Sequence, residues 1–221
     1  MRTRIKVCCI ADADEAAIAV ACGADAIGLV GRMPSGPGPI PDERIAAIAT
    51  RLPPPIAGFL LTSETTAEAI TDHVRRTSVS TVQIVSHLHP RESANLARLL
   101  PAVRRVQVIH VEDRRVLDQI DVYANHVHAF LLDSGRPGGA VPEFGGTGRV
   151  HDWNVSREFV DGSPHPVFLA GGLTPENVGP AMRHVRPFGV DLCSGVRVAG
   201  RLNRERLTAF VAAVQATDRA S

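Results

Sequence analysis

Cys8 and Cys9 close the apolar run Lys6–Ile10 (KVCCI), and Asp133 closes another, Phe130–Ser134 (FLLDS). A thiolate whose pKa is lowered by its surroundings can act as a base, and a positioned carboxyl group can act as a general acid. Each residue also has a simpler reading. A cysteine in an apolar strand packs as a small hydrophobe, and an aspartate after a strand often only caps or turns the chain. Neighbours on a strand point to opposite faces, so one of Cys8 and Cys9 is expected to face the interior and the other to turn away.

Two glycine turns carry a second kind of chemistry. LAGGLTPENV (Leu169–Val178) places Gly171 and Gly172 between a strand and a helix, and CSGVRVAG (Cys193–Gly200) places Ser194 and Gly195 after the last strand. Glycines let backbone N–H groups approach an anion, and a following helix N-terminus adds a favourable dipole. Either turn alone is an ordinary loop. Both at consecutive strand ends make a phosphate site the leading expectation. His87 with His89 and His126 with His128 form H-x-H pairs, but no nearby acidic or cysteine cluster completes a ligand set, so no metal is expected.

These residues must be held by the elements around them. Short apolar runs alternate with amphipathic stretches from end to end. Strands are expected at Ile5–Ile10, Ala26–Val30, Ile56–Leu61, Thr81–Val85, Val106–Val111, Val127–Leu132, Pro166–Ala170 and Gly189–Cys193. Helices are expected at Asp12–Cys22, Pro41–Arg51, Ser63–Arg76 (capped by Ser63 or Thr62), Pro90–Leu99, Asp113–Ala124, Val155–Val160, Pro175–Val185 and Arg204–Gln215. Strands that are apolar throughout and separated by helices form a parallel sheet covered on its faces. About eight of them favour an α/β fold of the (β/α)₈ TIM-barrel kind over an open sheet, and in such a barrel chemistry sits at the C-terminal ends of the strands. The Arg136–Gly148 loop is the one candidate for mobility.

The 221 residues fit one barrel domain, 1–221, with 44% hydrophobic and 21% charged residues. A net charge of +1 gives no electrostatic case for nucleic acid or an anionic membrane. No stretch reaches the ~18–20 apolar residues of a membrane span, and no signal peptide follows the first residues, so the expected location is cytoplasmic. Four cysteines without a C-x-x-C pair are expected as free thiols.

In order along the chain, KVCCI, GADAIGLV (Gly23–Val30), FLLDS, GGTGRVHDW (Gly145–Trp153), LAGGLTPENV and VDLCSGVR (Val190–Arg197) resemble the phosphoribosylanthranilate isomerases of tryptophan biosynthesis. The resemblance spans nearly the whole chain. It implies an aldose–ketose isomerase, a TIM barrel that performs an Amadori rearrangement on a phosphorylated sugar without metal or cofactor, as a monomer or homodimer. It also implies that Cys8 is the general base and Asp133 the general acid. The substrate is then held by Gln83, Gly146, Thr147, Gly171, Gly172, Ser194 and Gly195. The chain departs from the family pattern at several points. The glycine after the cysteine is Cys9. The S-P-R arginine associated with the aromatic end of the substrate is missing from MPSGPGPI (Met33–Ile40), leaving Arg32 to substitute. V-Q-L-H-G becomes VQIVSHLHP, S-G-V-E becomes SGVR at Arg197, and G-x-K-D becomes GRLN. His151 stands where phenylalanine is more usual and is expected to shape the loop near the sugar. Two rivals remain: a related isomerase acting on a different N-linked ribosyl phosphate, and a non-catalytic phosphosugar-binding barrel.

Overall fold

A computed structural model describes residues 2–135 and 150–220. Eight parallel strands close into a barrel, each paired with the next in sequence and the last with the first. They are β1 (Arg4–Val7), β2 (Ala26–Val30), β3 (Ala57–Thr62), β4 (Thr81–Ile84), β5 (Arg104–His110), β6 (Ala129–Asp133), β7 (Val167–Leu169) and β8 (Gly189–Leu192). The helices between and after them are α1 (Ala13–Ala21), α2 (Asp42–Ala49), α3 (Ala67–Thr77), α4 (Pro90–Leu99), α5 (Gln119–Tyr123), α6 (Trp153–Gly162), α7 (Val178–Val185) and α8 (Arg204–Ala220). After β8 the chain adds a two-stranded hairpin, β9 (Arg197–Val198) and β10 (Arg201–Leu202), which the sequence pattern does not announce.

Strand alternation divides the apolar residues into two cores. Leu60, Phe130, Leu132, Val190 and Leu192 point outward and pack with the helices. Phe59, Leu61, Leu131, Val106 and Val108 point inward and fill the barrel. The lower interior is aromatic: Phe168 meets Phe59 and Phe188 edge to face, with ring centroids 6.2 and 5.4 Å apart.

Local differences from the expected elements have local causes. The segment expected as one helix over Asp113–Ala124 is a 3₁₀ turn (Arg114–Asp118), the short α5 and a second 3₁₀ turn (Ala124–His126). Helix α3 begins at Ala67 rather than Ser63. Its cap is Thr66, whose side chain accepts the N–H of Ala69, and neither Ser63 nor Thr62 caps it. Thr62 instead contacts the buried His73 at 3.1 Å. The H-x-H pairs have structural partners: His89 caps α4 by accepting from the N–H of Arg91, and His128 accepts the N–H of Arg105. Among the described residues no helix is long and apolar enough to cross a membrane.

Because Thr66 is the cap, Thr66→Ala is expected to destabilise the fold by about 1 kcal/mol, and Ser63→Ala by much less. Equilibrium unfolding in denaturant checks both; equal losses would contradict the assignment.

Candidate active site

The site is built on charges that the barrel interior cannot leave unpaired. Lys6 lies between Ile5 and Val7, which face the helices, so its side chain enters the barrel. Asp191 lies between Val190 and Leu192 and does the same from β8. The two residues are register partners across the β1–β8 seam. The Lys6 Nζ has no exposed surface, donates to Asp191 Oδ2 at 2.9 Å and sits 5.5 Å from the Phe59 ring centroid. Burial alone would lower the pKa of Lys6. The Asp191 carboxylate, and after it Cys8, outweigh that effect and hold the ammonium well above the usual lysine range.

Cys8 follows directly on β1, and its N–H donates to the Leu192 carbonyl at 2.8 Å. The space for its thiol comes from Gly28 on β2. A β-carbon at Gly28 would lie 2.7 Å from the Cys8 sulfur and 3.0 Å from Lys6 Nζ. Both groups therefore press against the same glycine.

The expectation that Cys9 turns away fails. Regular β1 ends at Val7, and Cys9 has φ 61°, a left-handed conformation outside strand geometry. A residue with a β-carbon adopts it at a cost of about 1–2 kcal/mol. Both thiols consequently line one cavity. The Cys9 sulfur meets that of Cys193 at 2.7 Å, and both remain free thiols, as do Cys8 and Cys22. Contacts with Cys193 and then Cys8, together with burial, raise the pKa of Cys9. Contact with Cys9 lowers that of Cys193.

Cys8, Gln83, Asp133, Gly171, Gly172 and Ser194 converge on this one cavity at the C-terminal end of the strands. Asp133 ends β6, and its Oδ1 accepts the N–H of Ser134 at 2.7 Å. Gly171 and Gly172 have φ 84° and 62°. Asn177 clasps their turn, donating to the Gly172 carbonyl at 2.9 Å and accepting from the Thr174 N–H at 2.8 Å. Among the described residues, no backbone carbonyl takes the N–H groups of Gly171, Gly172 or Ser194. Gly195 stands behind the wall: a β-carbon there would lie 2.0 Å from the Leu173 carbonyl oxygen, so it lets the two turns meet. Arg32 is exposed and does not line the cavity, although its neighbour Met33 does. Gly146, Thr147 and the Arg136–Gly148 loop lie outside the described residues.

Sequence reasoning missed Lys6, Asp191 and Cys193. The signal was present in RIKV and VDL, where a charge sits inside a strand buried on both faces and must find a partner there. Among the described residues, Gln83 Oε1 and Asp191 Oδ1 are two of several buried side-chain atoms with no hydrogen-bond partner. Such atoms are rare in folded proteins, and both belong to residues lining the cavity. His151 lies beside the glycine turn, its Nδ1 2.9 Å from where a Gly171 β-carbon would be, and its Nε2 is 2.7 Å from Ser156 Oγ. Burial lowers the pKa of His151 against the opposing pull of Asp133 and Asp152. Among the described residues, no group of three or more His, Cys, Asp or Glu could hold a metal ion.

Comparison with known proteins bears on this arrangement. The family model described as N-(5'phosphoribosyl)anthranilate (PRA) isomerase matches residues 5–213. N-(5'-phosphoribosyl)anthranilate isomerase 2 of Methanosarcina mazei is 40% identical over 195 residues, covering 88% of this chain and 85% of the relative. N-(5'-phosphoribosyl)anthranilate isomerase of Haloferax volcanii is 39% identical over 215 residues, covering 96% and 93%. Among solved structures, phosphoribosyl anthranilate isomerase from Thermotoga maritima superposes with a TM-score of 0.83 at 27% identity, covering 97% of this chain and 99% of that one. Another phosphoribosyl anthranilate isomerase, in complex with reduced 1-(o-carboxyphenylamino)-1-deoxyribulose 5-phosphate, gives 0.80 at 25% identity, covering 97% and 99%.

The Lys6–Asp191 pair yields a stability prediction that is independent of any substrate. Lys6→Met leaves a buried carboxylate alone and is expected to destabilise by about 3–5 kcal/mol, whereas Lys6→Met with Asp191→Leu recovers much of that loss. Denaturant unfolding of the single and double variants checks the pairing; additive losses would contradict it.

Proposed function

Because this chain belongs to the N-(5'-phosphoribosyl)anthranilate isomerase family, we propose that it catalyses that family's Amadori rearrangement, with Cys8 as general base and Asp133 as general acid. The carrying observation is that Cys8 and Asp133 line one cavity together with the glycine turn at Gly171 and Gly172. Asp133 protonates the furanose ring oxygen, and the nitrogen lone pair opens the ring to a protonated imine (iminium). Cys8 removes the proton from C2 of the sugar, and the resulting enolamine tautomerises to the 1-amino-1-deoxyketose. The Lys6 ammonium, held by Asp191, and the Cys8 sulfur pack against the same point at Gly28, which sets a cation in the wall next to the proposed base.

Substrate binding follows the same logic. The N–H groups of Gly171, Gly172 and Ser194 receive the phosphate, and the family resemblance alone assigns Gly146 and Thr147 to substrate binding. Gln83 Oε1 and Asp191 Oδ1 accept hydrogen bonds from the sugar hydroxyls, which removes two buried orphans. The chain acts as one barrel domain, and its place is the cytoplasm.

A second reading has one observation in its favour: among the described residues no arginine lines the cavity, and Arg32 is exposed. A related isomerase with a different N-linked aglycone fits that loop. We favour anthranilate, with Arg32 reaching its carboxylate from the rim once substrate is bound.

Cys8→Ala and Asp133→Ala are each expected to lower kcat by roughly 10²–10⁴-fold in a steady-state assay with phosphoribosylanthranilate. Rescue of a tryptophan auxotroph lacking this isomerase is expected of the wild type and of neither variant. A folded wild type without turnover on that substrate would overturn the aglycone and promote the second reading. Arg32→Ala is expected to raise KM by roughly 10-fold or more, the worth of a charge-assisted carboxylate contact. An unchanged KM would remove Arg32 from the site.

A further inference from the structure

We propose that Arg197 is a positioning residue: it clamps the Cys8–Cys9 turn in its left-handed form and thereby aims the Cys8 thiol. The proposal rests on the reading of Cys8 as the base.

Among the described residues, four other than glycine have positive φ. Ser78 and Arg186 end helices α3 and α7, and Ala199 sits in the β9–β10 turn. These are places where such a conformation ends an element. Cys9 is different, because it follows a strand and lies in the cavity wall. Something must hold its backbone there, and the bonds to its carbonyl identify what does. Arg197 Nη2 donates to the Cys9 carbonyl at 2.5 Å and lies 3.4 Å from the Cys8 carbonyl.

The guanidinium is itself fixed. Glu15 on α1 grips it with both oxygens, at 3.1 and 3.0 Å, and Nη1 also donates to the Gly200 carbonyl at 2.9 Å. Glu15 accepts in addition from the N–H groups of Ala11 and Leu202, at 3.1 and 2.9 Å. The side chains are 11% and 3% exposed, so the fork is rigid and shielded from water. It joins the segment after β1, helix α1 and the β9–β10 hairpin in one knot. Arg197 does not line the cavity. Its route to the chemistry runs through the two cysteine carbonyls, and a displaced turn moves the thiol away from C2 while leaving the phosphate end in place.

This account makes a specific demand. Glycine enters the left-handed region about as readily as the right-handed one, so a glycine at position 9 has little need of the clamp. Arg197 and Cys9 must therefore be coupled in turnover, whereas an arginine that serves only stability has no reason to depend on residue 9. The experiment is a double-variant cycle with phosphoribosylanthranilate: wild type, Arg197→Met, Cys9→Gly and the double variant, with kcat, KM and Tm for each. Arg197→Met is expected to lower kcat by roughly 10–100-fold, with KM within about threefold of wild type. Starting from Cys9→Gly, the same change is expected to lower kcat by less than about threefold. If Arg197→Met does not fold, Arg197→Lys, which keeps the cation but loses the fork, carries the same comparison. An equal kcat loss in both backgrounds, or a loss confined to KM, overturns the proposal. Cys8→Ala, measured alongside, keeps the two readings apart. Near-normal turnover in that variant defeats the base assignment, whereas an inactive Cys8→Ala with an additive cycle defeats only the clamp.

Discussion

An ammonium group with no exposed surface is the constraint around which this barrel is arranged. Inside an apolar core a lone charge costs several kcal/mol even after relaxation, so the Lys6 side chain requires Asp191, and Asp191 requires Lys6. Their bond lies across the pairing of β1 with β8, the junction that turns a sheet into a closed ring. The residues above it take their positions from that floor. Cys8 is two residues past the lysine, just beyond the end of β1, and Cys193 and Ser194 are two and three residues past the aspartate. Gly28 has no side chain because the ammonium and the thiol already occupy its space.

The upper rim follows a different principle. There the chain presents backbone N–H groups, and glycine is used where a side chain would obstruct them. Gly171 and Gly172 take positive φ, and Gly195 lets one turn rest on the carbonyl of the other. Charge at the floor and bare amides at the rim suit a ligand with hydroxyls at one end and an anion at the other. The proposed phosphate site at the rim therefore needs no cluster of lysines, in keeping with a net charge of +1.

Much of this was legible in the residues. Eight apolar runs with helices between them specify the barrel, because a strand buried on both faces has nowhere else to go. Cys8, Asp133 and the two glycine turns could be located because they end such runs. What escaped notice has physical causes. Alternation does not carry through to Cys9, because regular strand geometry stops at Val7 and the left-handed turn brings both thiols to the same cavity. Asp191 carries no local signal of its pairing, since its partner is 185 positions away and only the closed ring brings them together. The cap of α3 is ambiguous in sequence because several hydroxyls compete over Thr62–Thr66, and tertiary contact with His73 claims Thr62. The β9–β10 hairpin is too short to leave a pattern.

The junction between the first and last strands also has a temporal side. Lys6 is made 185 positions before Asp191, and the tie from Thr3 to Asp218 spans 215 positions. Contacts so distant in sequence form late and slow folding, because a long loop must be closed before they give any return. A nascent chain that has emerged only as far as β7 carries an ammonium with no counter-ion and an open sheet edge on either side. The segment from β8 onward thus decides whether the preceding strands have a stable interior at all, and the charged floor is completed only when the ring closes.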